Sequence, residues 1–353
     1  MKLTFFKSAL LLLQGAFLLS CSDPVDKTYS GKLLLRDSLA LAPFSVSETD
    51  EYFPFQHTSL GGEDYLVSFT DRQLTFSHVF DSSKSVHIDL SLSFLGFSNF
   101  LIAEVKDSNL YVLDVDKHLF ASYSISLEEK KLTLVKIFPI PAKPGFGISK
   151  ERSIYYHPLS TFEVLGSQLF LAYCLPGKPR ENYLDKTAYV RFDMTYSPPR
   201  EEEKLLRTPK RYLKGKSYFS KSTLAVLTDS TLLGGFEEDD SLYIYNVYKR
   251  SVTTATQFSG TTAYTDYPKN KRADLAFLRN YDATNERNLQ MLVNQKKERI
   301  LIIKRIKKAD RTDEDHFEYY LLNFNLEVLA FNQFDQKIAP QFCFPFKNGF
   351  LLY

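Results

Sequence analysis

Short runs of β-branched and aromatic residues recur along this chain, divided by turns of Asp, Asn, Ser, Gly and Lys. A strand turns successive side chains to opposite faces, and runs of this length and spacing indicate a many-stranded antiparallel fold. One pattern returns: a polar turn, an alternating strand carrying Tyr or a similar residue, then Asp or Asn near its end. It reads Asn109-Leu110-Tyr111-Val112-Leu113-Asp114-Val115 and Ser241-Leu242-Tyr243-Ile244-Tyr245-Asn246-Val247. Looser copies surround Tyr189, Tyr320 and Thr75, and each follows another strand-like run, such as Tyr65 to Phe69 or Ile300 to Ile306.

Repeats of three or four strands at this spacing read as β-propeller blades. The markers Thr75, Tyr111, Tyr189, Tyr243 and Tyr320 lie 36, 78, 54 and 77 positions apart. Two intervals exceed a blade of about 40–50 residues; insertions at Pro176 to Lys186 and Lys307 to His316 account for them. The expectation is an all-β propeller of six blades, with Tyr111, Tyr189 and Tyr243 equivalent in three of them. The sixth blade would join the segment Lys32 to Leu41 to the terminal strands Gln341 to Tyr353, closing the ring and removing exposed edges. A pair of β-sandwiches or an irregular barrel is the competing architecture.

The N-terminus carries a different signal. Lys2 and Lys7 precede an apolar segment, Ser8 to Leu19, and the run Leu18-Leu19-Ser20-Cys21 ends it. That is a signal peptide in charge, length and small residue at the cut, and it falls short of the roughly 20 residues needed to span a bilayer. A Cys directly after the cut is what lipoprotein processing requires: the thiol takes a diacylglycerol and becomes the new N-terminus. Residues 1–20 therefore read as a lipoprotein signal peptide, Cys21 as the lipidation site, 21–30 as a flexible tether and 31–353 as a single propeller domain. The expected location is the cell envelope, at the outer membrane, with the lipid as the membrane contact.

Taken together, the lipobox, the length and the degenerate Leu-Tyr-Val-Leu-Asp repeats resemble the uncharacterised six-bladed, TolB-like propeller lipoproteins of the Bacteroidota. The resemblance implies a fold and brings no catalytic residues.

Charge and composition exclude some functions. The formal net charge is +2; removing Lys2 and Lys7 leaves it near zero, which speaks against the concentrated basic surface of a nucleic-acid binder. The chain holds no Trp against 22 Tyr and 30 Phe, so a sugar platform would have to be built from Tyr. Cys174 and Cys343 lie in apolar contexts and read as buried thiols, although an exported compartment permits a disulfide.

No motif fixes a reaction. His57, His78, His87, His118, His157 and His316 show none of the close pair spacings of zinc sites, so no metal site and no cofactor is expected. Glu237-Glu238-Asp239-Asp240 has the oxygen ligands of a Ca²⁺ site but the position of a solvated hairpin turn. The cations Lys296, Lys297, Lys304, Arg305, Lys307 and Lys308 fit an outer strand guarding a sheet edge, or a contact with anionic lipid. Several segments combine Pro with aromatics, and His57, Tyr155, Tyr156, His157, Tyr264 and Tyr267 form the candidate ligand face, an aromatic funnel with histidine handles. Phe342-Cys343-Phe344-Pro345 is a further segment of this kind.

The favoured function is a monomeric, non-catalytic, lipid-anchored propeller that binds a small ligand or an envelope protein. An envelope hydrolase or lyase with its site at the channel mouth is the alternative. Convergent carboxylates or histidines with perturbed pKa values there would favour the enzyme; an apolar, Tyr-lined face would favour binding.

Overall fold

Residues 300–303 show how the chain uses alternation. Ile300 and Ile302 pack with Leu227, Leu233 and Ile244, whereas Leu301 and Ile303 pack with Leu292, Phe317 and Cys343. Both faces of the strand are buried, so its sheet is stacked between two other layers.

The computed structural model describes residues 31–32, 56–69, 73–90, 97, 101–114, 117, 119–140, 162–172, 187–197, 199–207, 222–237, 239–259, 275–310, 312–334, 343–347 and 349–351. After β1 (Gly31–Lys32), blade 1 comprises β2 (Gln56–Leu60), β3 (Glu63–Phe69), β4 (Gln73–His78) and β5 (Val86–Asp89). Blade 2 comprises β6 (Leu101–Lys106), β7 (Asn109–Asp114), β8 (Leu119–Ser126) and β9 (Lys131–Pro139). Blade 3 comprises β10 (Phe162–Leu165), β11 (Gln168–Ala172), β12 (Thr187–Asp193) and β13 (Arg200–Arg207). Blade 4 comprises β14 (Ser222–Thr228), β15 (Thr231–Phe236), β16 (Asp239–Asn246) and β17 (Ser251–Gln257). A helix, α1 (Leu275–Thr284), precedes blade 5, which comprises β18 (Arg287–Asn294), β19 (Arg299–Arg305), β20 (Phe317–Asn323) and β21 (Val328–Phe334). The chain then forms β22 (Phe344–Phe346) and β23 (Gly349–Leu351). Each blade is an antiparallel meander with its strands in chain order.

Apolar clusters sit between successive sheets, as radial stacking requires. Leu74 and Phe76 of blade 1 pack with Val105 and Leu110 of blade 2; Ile102 and Phe120 of blade 2 pack with Phe162 and Leu169 of blade 3. Phe170 and Tyr189 join Leu224 and Phe236 across the next interface, and Phe258 joins Ile300 and Tyr320 across the one after. Basic side chains add ties to neighbouring backbone: Lys106 donates to Val164 C=O at 2.8 Å, and Arg191 to Val247 C=O at 3.0 Å.

Two-residue turns join the first and second strands of blades 1 to 4 and the pair β22–β23. Such turns fit the strand twist when their residues adopt positive φ. Gly61 and Gly62 do so at 61° and 84°, and Gly166 at 58°, without steric penalty. Asp107 and Ser108 do so at 49° and 61°, and Lys347 at 44°.

A recurring hydrogen bond marks the true repeat. The amides of Ile125, Met194 and Val247, at the ends of the third strands of blades 2 to 4, donate to the carbonyls of Ser108, Ser167 and Ser230, each the residue just before the second strand. This register makes Tyr123, Phe192 and Tyr245 equivalent, all buried. It corrects the marker alignment: Thr75, Tyr189, Tyr243 and Tyr320 lie on third strands, but Tyr111 lies on a second strand, β7. Tyr189 matches Leu242 rather than Tyr243. Alternating Tyr243 and Tyr245 offer two rungs to a reader of sequence, and the hydrogen bond selects one.

The architecture is an all-β propeller with five four-stranded blades among the described residues, where six were expected. The expected pairing of Lys32 to Leu41 with the terminal strands is also corrected at Lys32. Gly31 and Lys32 pair in parallel with Ala330 and Phe331 of β21, extending blade 5 at its outer edge, while β22 and β23 pair with each other. Residues 33–41 lie outside the described residues. Side chains hold β22–β23 against blade 5, since Gln290 donates to Cys343 C=O at 2.9 Å and Asn294 to the carbonyls of Lys347 and Gly349 at 3.2 and 2.8 Å.

Candidate functional site

The first strands of all five blades, together with β22, line one central cavity of about 340 Å³, within the size range of small-molecule sites. Its walls include Ile102, Leu224, Val226, Leu292 and Phe344, and into this apolar setting come Glu104, Lys106, Glu163 and Gln290. Register explains the meeting of the two acids. In β6 Lys106 pairs Asn109 across the turn, and in β10 Leu165 pairs Gln168. Glu104 and Glu163 are each two residues ahead of that closing pair, so they share a rung in adjacent blades. At the same rung stand Leu292 and Phe344 on other walls.

Lys106 Nζ lies 3.9 Å from Glu163 Oε2, and Glu163 is 14% exposed. Burial pushes Glu104 up to about 7, opposed by the charge of Lys106 and reinforced by that of Asp107. Burial also holds Glu163 well above the usual carboxylate range, with Glu104 adding to the effect and Lys106 opposing it. Removal of a carboxylate from water disfavours its charged form, and a second carboxylate compounds this. Tyr111, opposite Glu104 across β6 and β7, is raised by burial and by the charges of Asp107 and Glu104.

His57 lines the same cavity. Its Nε2 lies 3.2 Å from Asp64 Oδ1, and its ring stacks on Phe344 at 5.8 Å and meets Phe346 edge-on at 5.1 Å. Burial lowers its pKa more than Asp64 raises it, so the imidazole is neutral at physiological pH. Asp64 stays below its usual value despite partial burial, through hydrogen bonds from the Ser59 hydroxyl and the His57 ring. Beside His57, the Gln56 amide donates to Ala103 C=O at 3.0 Å and accepts from Val105 N–H at 2.8 Å, satisfying the inner edge of β6.

Of the candidate face, His57 lies in the channel wall, and Phe344 and Pro345 of the C-terminal aromatic segment line the same cavity. Tyr155, Tyr156, His157, Tyr264, Tyr267, Cys21 and Cys174 lie outside the described residues. Cys343 is buried. Among the described residues no cluster of three or more His, Cys, Asp or Glu could hold a metal, and no helix is long and apolar enough to cross a membrane.

Two readings of charged segments are corrected. Glu237 and Asp240 are not solvated: they are 2% and 0% exposed, Glu237 lying 3.7 Å from Arg287 and Asp240 3.0 Å from Lys304. Lys304 does not guard an edge, because β19 is an internal strand. It is 1% exposed and pairs with both Asp240 and Glu286. Burial opposes its charge, but the two carboxylates outweigh this and hold the ammonium above its usual value. This cluster ties blade 4 to blade 5 away from the channel-lining residues.

Fold and site together define a β-propeller with a charged and polar constellation in its channel. No protein-family model matches the chain, and no curated protein matches it. Solved structures do. A member of the DUF4221 family from Bacteroides vulgatus is similar at 11% identity, with a TM-score of 0.58 over 85% of this chain and 89% of that one. The β-propeller domain of Cps50 (Swd1) from Myceliophteria thermophila matches at 12% identity and a TM-score of 0.41, over 80% and 88%. The first likeness is one of fold, over most of both chains.

Proposed function

We propose that this chain is a lipid-anchored propeller of the cell envelope that binds a small polar ligand in its central channel without chemical turnover. The observation that carries the reading is the placement of Glu104, Glu163, Lys106 and Gln290 in one cavity of ligand size, beside apolar residues such as Phe344. A few polar groups fixed in an apolar concavity are how proteins orient small molecules. Cys21 supports the envelope location through the chemistry of lipoprotein processing, and the likeness in fold to a DUF4221 protein from Bacteroides supports the family resemblance. We also propose that β22–β23 closes the ring between blades 5 and 1, since β22 packs against both β18 and β2.

The carboxylate pair favours one second reading, an envelope hydrolase or lyase using Glu104 and Glu163 as acid and base. Acid and base roles need environments that drive two pKa values apart. Here burial drives both upward, which suits a binding pair better than a catalytic one.

Thermal melts of the full chain against a panel of small polar metabolites test the reading, repeated with Ala225→Phe and Ala103→Leu, which fill the channel wall. The expected result is stabilisation of the native chain by some compounds and none in whichever channel-filling variant melts normally. Stabilisation that is identical in that variant, or absent throughout, overturns it. Turnover of a stabilising compound that Glu104→Gln abolishes would favour the enzyme.

A further inference from the structure

The channel is rich in acceptors and poor in donors. Gln290, on the opposite side from β6 and β10, is 3% exposed, and its amide nitrogen is committed to Cys343 C=O. Its Oε1 accepts no hydrogen bond among the described residues. A buried acceptor left this way is disfavoured by about 1–3 kcal/mol, so it marks a position where a donor is needed. Lys106, the cation nearest the pair, is already engaged by Val164 C=O and Glu163. With both acids ionised, two carboxylates face one ammonium.

We propose, resting on the reading of the channel as a ligand site, that its ligand is a small organic cation. An ammonium or guanidinium group sits between Glu104 and Glu163, and a second donor of the same molecule reaches Gln290 Oε1. A metal ion fits less well, because no cluster of three or more metal-binding side chains forms among the described residues, while Ile102, Val226 and Leu292 suit hydrocarbon. The raised pKa values add a linkage. Near neutral pH the pair holds a proton, and the incoming cation takes its place: the carboxyl O–H bond breaks, the proton goes to solvent and the carboxylate pairs with the ligand. Other charges facing the pair are Lys106 and Asp107, with Lys106 favouring ionisation and Asp107 opposing it. Elsewhere on the wall, His57 is neutralised by burial and flanked by Asp64 and Lys296.

Calorimetric titration of the full chain with ethylguanidinium and with the neutral analogue N-ethylurea tests this. Ethylguanidinium should bind roughly tenfold or more tightly than N-ethylurea, as expected for a desolvated charge pair. Its affinity should rise between about pH 5.5 and 7.5, approaching tenfold per unit, and level off above. Glu104→Gln and Glu163→Gln should each lose the preference while melting no lower than the native chain, and Gln290→Leu should weaken a probe with a second donor, aminoethylguanidine, more than ethylguanidinium. Equal binding of ethylguanidinium and N-ethylurea, or no binding of either, overturns the cation assignment. Metabolites whose stabilisation is lost in the channel-filling variants would then still uphold the ligand-site reading, so the two failures are distinguishable.

Discussion

Glu104 and Glu163 stand at one rung of neighbouring inner strands, each two residues ahead of the pair that closes its hairpin turn. They are 59 positions apart in sequence, and stacking of blade 2 on blade 3 brings them to one cavity wall. Carboxylates buried this way oppose folding when both are charged, and they persist where a site requires them.

The first consequence is a dependence of stability on pH. The folded pKa of Glu104, about 7, lies above its ordinary 4.5, so the folded state binds this proton more tightly than the unfolded one. The stabilisation is complete below 4.5 and is lost as pH rises through 7, with Glu163 acting in the same direction. At about 1.4 kcal/mol per pH unit, the Glu104 contribution amounts to roughly 3 kcal/mol. Denaturant midpoints measured from about pH 5 to 8 should fall for the native chain and fall less steeply for Glu104→Gln, in which Glu163 still titrates. A native chain with a flat profile would contradict the burial of this pair.

The second concerns Lys304. Removing one member of a buried ion cluster leaves the others uncompensated, at a cost of about 3–5 kcal/mol. Lys304→Met should destabilise by that order, because Asp240 and Glu286 remain buried. The combined change with Asp240→Asn and Glu286→Gln should recover part of the loss. Urea unfolding of the two variants decides it: equal midpoints would mean that the charges are not coupled.

Alternation made the sheets legible: Leu110 and Val112 or Ile300 and Ile302 announce strands through chemistry that acts locally. Rung and partner are not local. Tyr111 resembles Tyr243 in its neighbours, but it sits on a second strand, and only hydrogen bonds such as Val247 N–H to Ser230 C=O define the repeat. Glu104 and Glu163 escaped notice because each is a lone acid in an apolar strand, Leu-Ile-Ala-Glu-Val-Lys and Phe-Glu-Val-Leu. An acid flanked by apolar residues in the strand entering a blade was the available signal. Lys304, inside Ile-Leu-Ile-Ile-Lys-Arg, carried the same signal and read as an outer face only because its partners Asp240 and Glu286 are remote in sequence.

The third prediction tests the anchor. The Cys21 thiol is the atom that would carry the diacylglycerol, so Cys21→Ser should leave an unprocessed or released protein without acyl label. Incorporation of labelled palmitate that survives the substitution would remove the lipoprotein assignment and leave the channel chemistry untouched.

The fourth tests how the C-terminal hairpin is held. Asn294 reaches two carbonyls, those of Lys347 and Gly349, and its own Oδ1 accepts from Lys297 N–H at 3.2 Å. One side chain thus fastens the β22–β23 turn to the end of β18, while Phe350 packs into the apolar cluster of blade 5. The two part-buried carbonyls lose their donor, so Asn294→Ala should loosen the hairpin before the blades. Hydrogen exchange should then quicken at Phe344 to Leu351 with little change in β19 or β20, since local openings follow local contacts. Asn294→Asp keeps the acceptor for Lys297 but not the donors, and it should give the same pattern. Uniform loss of protection across blade 5 would instead make the hairpin an integral part of that sheet's cooperative unit, and would refute its attachment through side chains.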